Sequence, residues 1–130
     1  MISAAQRDRV QDFIRKGIAE GAELLCGGPD APAGLSRGYY VQPTVFGRVK
    51  PGSSIEQEEI FGPVLSIVTY QDEDEAARIA NGTPYGLVAG VWTRDGGRQL
   101  RIARALQCGQ VFVNNYGAGG GVELPFGGMK

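Results

Sequence analysis

Glu58 and Glu59 stand side by side, followed at once by Ile60, the aromatic Phe61 and a Gly62-Pro63 bend. A carboxylate can accept hydrogen bonds from two neighbouring hydroxyls, as a sugar diol presents them, and an adjacent ring can pack against a flat heterocycle. The run after the bend, Val64-Leu-Ser-Ile-Val-Thr-Tyr70, is rich in β-branched residues and predicts a buried strand. The acids and Phe61 then lie on the loop feeding that strand, where a rigid scaffold places ligand contacts. The plainer reading of the same residues is a solvated acidic turn, with Phe61 as a core anchor.

Other residue types exclude chemistry. The chain has no histidine, which rules out Ser-His-Asp and Cys-His catalysis within it, and histidine-ligated zinc. Cys26 and Cys108 are far apart and lack CxxC spacing, so they signal neither a metal nor a redox pair. Charge is nearly balanced, with 13 basic and 14 acidic residues, and no basic stripe suggests a nucleic-acid partner. No apolar stretch approaches a membrane span, and the start, Met1-Ile-Ser-Ala-Ala-Gln-Arg-Asp8, lacks the apolar core of a signal peptide. The expected setting is cytoplasmic.

The elements that must position these residues read as follows. Ser3 to Gln6 has the form of a capping box, and Val10, Phe13, Ile14 and Ile18 follow at helical spacing, predicting a helix over 4–20 stopped by Gly21. Residues 22–26 suggest a short strand and 27–38 an exposed loop punctuated by Pro29, Pro32 and Gly34. Tyr39 to Val41 and Thr44 to Phe46 read as extended pieces, and Ser53 or Ser54 as the cap of a brief helical turn. After the strand over 64–70 comes a helix from about Asp72, with Ala76, Ala77, Ile79 and Ala80 inward and Asn81-Gly82 ending it. A strand over 87–92, a helix over 96–107 with Leu100, Ala103 and Leu106 inward, and a strand over 110–114 complete a β-α-β-α-β pattern. The expected fold is α/β, a partial open parallel sheet flanked by helices, with strands apolar on both faces. At 130 residues the chain is expected to hold one domain. The 21 glycines far exceed the roughly 7% of an average chain and cluster at turns. One cluster, Gly117-Ala-Gly-Gly-Gly-Val122, fails as a dinucleotide fingerprint, because Val122 stands at its sixth position and Leu124-Pro125 follows where a helix should begin.

The run Glu58-Glu-Ile-Phe-Gly-Pro-Val64 resembles a signature of the NAD(P)-dependent aldehyde dehydrogenases. Tyr40-Val-Gln-Pro-Thr-Val-Phe46, Ala80-Asn-Gly-Thr-Pro-Tyr-Gly-Leu87, Gly109-Gln-Val-Phe-Val-Asn114 and Pro125-Phe-Gly-Gly-Met-Lys130 match in the same order. The resemblance covers nearly the whole chain but only a late piece of the longer enzyme, so residues 1–130 are expected to form a single partial catalytic domain without the cofactor-binding domain. It implies that Glu59 meets the nicotinamide ribose hydroxyls of NAD or NADP, that Phe61 bounds the nicotinamide, and that Tyr116 and Phe126 border the aldehyde pocket; the plainer reading of Phe126 is a core side chain at a structural turn. It assigns no role to Glu58, which reads as structural. Neither Cys26 nor Cys108 lies in a matching motif. The family's nucleophilic cysteine, general-base glutamate and oxyanion asparagine belong upstream of the matched region, so the isolated chain is expected to be inactive. An alternative function is a non-enzymatic assembly module, self-associating or pairing with a full-length subunit through exposed sheet edges.

Overall fold

The computed structural model describes residues 1–35, 37–115 and 125–130. The chain divides into two compact units, residues 1–69 and 70–130.

The first unit is organised on helix α1 (Ala4–Ala19). Ser3 Oγ accepts the Gln6 N–H at 3.2 Å, satisfying one of the donors a helix start leaves open. At the other end Gly21 adopts φ +87°, and its N–H reaches the Ile18 carbonyl while Ala22 N–H reaches Gly17, closing the last turn. The apolar face of α1 supplies Val10, Phe13 and Ile14 to a core shared with Val41, Phe46, Val49, Ile55 and Ile60. Strand β1 (Glu23–Cys26) runs antiparallel to β2 (Thr44–Gly47), which pairs in parallel with β3 (Val64–Ser66). β2 is central, and its Phe46 is completely buried. Buried Thr44 is satisfied on both sides: its hydroxyl donates to Gln42 O at 2.8 Å and accepts Gly28 N–H at 3.1 Å. The short helix α2 (Ser54–Gln57) packs on α1 where Gly17 leaves room; a Cβ there would lie 2.9 Å from Ile55 Cδ1.

The second unit contains α3 (Glu73–Asn81), β4 (Val88–Val91), α4 (Gly96–Ala105) and β5 (Gln110–Val113), with β4 and β5 parallel. Asp72 caps α3 by accepting Glu75 N–H, and Asp95 caps α4 by accepting Arg98 N–H, each at 2.8 Å. Polar ties replace a core. The Asn81 amide donates to Ala105 O and accepts Gln107 N–H, fastening the end of α3 to the end of α4. Asn114 does the same for the strands, exchanging two 2.9 Å hydrogen bonds with the Thr93 backbone, as a paired residue would. Glu73 on α3 receives Arg98 and Arg101 from α4, and hydrogen bonds from both guanidiniums, Arg101 first, hold its carboxyl down at about 2.

The α/β class and the parallel pairings agree with the sequence reading, but the strands expected to be buried are largely exposed or half-buried, as at Leu65, and three further details differ. The three strands of the β-α-β-α-β run fall in two sheets, β3 beside β2 and β4 beside β5. The strand expected over 64–70 ends at Ser66, although Ile67 N–H still reaches Phe46 O. The helix faces expected to be inward are half-buried at most: Ala76, Ala77, Ile79, Ala103 and Leu106 are partly covered, Ala80 is exposed, and Leu100 is 61% exposed. Periodicity finds the apolar stripe of a helix but not the surface that covers it, and no described residue of the second unit covers Leu100.

Candidate functional site

The Glu58–Phe61 loop is fixed from beneath. Ile60 is buried in the core of the first unit, so its neighbours on either side, Glu59 and Phe61, face outward. Helix α1 grips the loop backbone: Arg9 Nη2 donates to Glu59 O at 3.0 Å and Gln6 Nε2 to Phe61 O at 3.0 Å. The Gln6 side chain thus serves this loop; the reciprocal half of the capping box expected at Ser3 is not among its bonds. Phe61 takes φ +59°, a left-handed conformation costly for a residue with a Cβ, and its ring is 71% exposed. Strain of this kind persists only where surrounding contacts over-determine it, and the Gln6 and Arg9 bonds do so here. Gly62 completes the bend against Val10, whose two γ-methyls would each lie 2.7 Å from a Cβ.

The loop therefore presents two groups of different chemistry on one fixed backbone, a carboxylate acceptor and an aromatic face. Glu58 pairs with Lys16 Nζ at 3.6 Å, both side chains about half exposed. Phe61 is not a core anchor, which removes half of the plainer sequence reading. Gln6 and Arg9 were missed as supports of this loop. Their signal is weak but present, since residues three apart on a helix share a face, and both flank buried Val10.

In the second unit Phe126 is 70% exposed, on a segment lying against Gly86 and Gly109. Tyr116 and the 117–122 glycine cluster lie outside the described residues. Cys26 is exposed in β1, and Cys108 is half-buried with its Sγ 3.3 Å from Gln110 O; both are free thiols. The described residues contain no cluster of ligands suited to a metal ion, and no helix among them is long and apolar enough to cross a membrane.

An α/β chain with parallel strand pairs and an acid-aromatic loop of this kind is what the family motifs imply, and comparison with known proteins settles the class. The model of the aldehyde dehydrogenase family matches residues 1–130, and the chain belongs to that family. A curated relative from Staphylococcus saprophyticus, assigned to the aldehyde dehydrogenases, is 51% identical over 130 residues, covering 100% of this chain and 27% of that protein. The crystal structure of a Mycobacterium tuberculosis aldehyde dehydrogenase complexed with NAD+ is similar at 46% identity with TM-score 0.92, over 100% of this chain and 26% of its own. A Pseudomonas syringae aldehyde dehydrogenase complexed with NAD+ and octanal is 44% identical with TM-score 0.92, over 98% of this chain and 26% of its own. The chain thus spans about a quarter of the length of the relatives it matches.

Proposed function

We propose that this chain supplies part of the catalytic domain of an NAD(P)-dependent enzyme that oxidises an aldehyde to a carboxylic acid. The two compact units are, in this reading, pieces of one partial domain. The observation that carries it is the Glu59–Phe61 loop, an acceptor and an aromatic face held outward on a backbone pinned by Arg9, Gln6 and buried Ile60. A ribose diol needs paired acceptors and a nicotinamide ring needs a flat boundary, so these residue types fit either NAD or NADP. When bound, the nicotinamide accepts the hydride. Glu59 orients the ribose, Phe61 limits where the ring lies, and Phe126 with Tyr116 borders the aldehyde. Pre-formed backbone geometry favours such placement because little ordering is left to be done on binding. Neither Cys26 nor Cys108 is assigned as the nucleophile, since neither lies in a family motif and the Cys108 thiol already donates to the Gln110 carbonyl at 3.3 Å. The setting is cytoplasmic, with the aldehyde as partner and association with itself or with a full-length subunit through exposed strand edges.

Saturation-transfer NMR on the 130-residue chain with NAD+ tests the assignment. Magnetisation is expected to reach the nicotinamide ribose protons and to fall several-fold in Glu59→Ala and Phe61→Ala. Equal transfer in both variants would remove these residues from the site. Calorimetry should find affinity weaker than micromolar, and incubation with short aldehydes should yield no reduced cofactor. Turnover lost on Cys108→Ala would overturn the assignment of the cysteines.

A further inference from the structure

Residues 125–130 are tied at both ends to the framework of the second unit. Gln110, the first residue of β5, donates its side-chain amide to the Pro125 carbonyl at 3.0 Å. At the other end Lys130 Nζ donates to Asn81 O at 2.8 Å and Thr83 O at 2.9 Å, placing a cation on the carbonyl end of α3, where the helix dipole favours it. Between these ties Met129 N–H reaches Gly86 O at 3.2 Å. The fit is close enough that only glycine is admitted at 109: a Cβ there would lie 1.7 Å from Gly127 O. The ring of Phe126 stays uncovered while the backbone on both sides of it is fastened.

The geometry points to Gln110 and Lys130 as positioning residues for Phe126. Gln110 fixes the carbonyl immediately before the aromatic, and Lys130 fixes the far end of the segment, so the ring is presented from a backbone that cannot slide along β5. This rests on the reading of Phe126 as a wall of the aldehyde pocket. A wall held still selects among aldehydes by shape, whereas a wall on a loose segment yields to any of them, because side chains discriminate only when their own supports are locked. Lysine's single ammonium bridges both carbonyls from the end of a flexible stem, and arginine has the donors to do the same.

The test places 4-fluorophenylalanine at position 126 of the 130-residue chain and follows its 19F resonance with the exchange rate of the Met129 amide. A single narrow resonance and a protected amide are expected. Gln110→Met and Lys130→Met should each broaden or split the resonance and speed Met129 exchange at least tenfold, with the far-ultraviolet helical signal retained. Lys130→Arg should restore both readouts. Unchanged resonance and exchange in both methionine variants would overturn the proposal, as would an unprotected Met129 amide in the unaltered chain. Loss of the helical signal in both variants would reduce the residues to general structural supports and would overturn it equally. None of these readouts involves an aldehyde, so a shift of the same resonance on adding octanal decides separately whether the ring meets the substrate.

Discussion

In residues 1–69 eight apolar side chains converge beneath the Glu59–Phe61 loop, whereas in residues 70–130 the described residues bury one, Val91. The first unit has a three-stranded sheet covered by α1; the second has two strands and two helices whose apolar faces are only half-buried. Its order comes from amide bridges at Asn81 and Asn114 and from the Glu73 ion pairs, most of them in contact with water. Polar ties at exposed positions fix geometry but contribute little to stability, and a two-stranded sheet is marginal alone. The proposed cofactor loop thus sits on a frame stabilised by burial. The proposed pocket aromatic sits on one that needs covering, as its exposed Trp92, Leu100 and Val88 indicate.

The sharpest way to break this contrast is truncation in the two apolar stripes. Phe46→Ala should cost about 3–5 kcal/mol, since it empties the centre of the buried core, and amides of β2 and β3 should lose exchange protection. Leu100→Ala should stay within about 0.5 kcal/mol, because exposed side chains seldom contribute more. A comparable loss at Leu100 would show that the second unit has a working core after all. A middle-sized effect tests how tightly the loop is fitted to its frame. Gly62→Ala forces a methyl into Val10 and should cost about 1–3 kcal/mol in a denaturant melt. Smaller and of opposite sign, Phe61→Gly should raise stability by about 1 kcal/mol by relieving the left-handed backbone, while weakening saturation transfer to NAD+. A destabilised glycine variant would mean that the ring itself supports the fold.

The smallest effect belongs to the second unit. Glu73 has a folded pKa of about 2 against an ordinary 4.5, so the unfolded chain takes up its proton first as pH falls. Its contribution is complete above about 4.5 and is lost on acidification toward 2. Glu73→Gln should flatten the stability profile across that window, read by thermal melts from pH 5 to 2. A profile of unchanged slope would show that the two arginines hold α3 and α4 together without it.

Local rules carried the helices well. Ser3 and Asp72 cap where short side-chain acceptors precede an amphipathic run, and Gly21 ends α1 with the positive φ that its lack of a Cβ permits. Strand partners were harder, because pairing depends on residues distant in sequence. The Val64–Tyr70 run looks like one long strand, yet its ladder lasts only as far as β2 accompanies it. The loop motif was legible as chemistry, but its support was not. Sequence shows a glutamine at the third helical position and suggests a cap, while tertiary structure sends its amide to the Phe61 carbonyl. Outward placement of Phe61 likewise followed from the anchoring of Ile60 next to it, which alternation alone does not determine.

The bare α-carbon of Gly62 facing Val10 also ties two positions 52 residues apart into one mutational unit. Because the γ-methyls of Val10 already fill the space, size can be gained at position 62 only if it is surrendered at position 10, and changes at the two sites will not add. A library randomised at both would recover pairs, such as alanine with alanine, in which the methyl gained at 62 enters space vacated at 10, and would lack most combinations built from individually mild changes. The helix and the loop would then drift through sequence space in step, each restricting the other's next substitution.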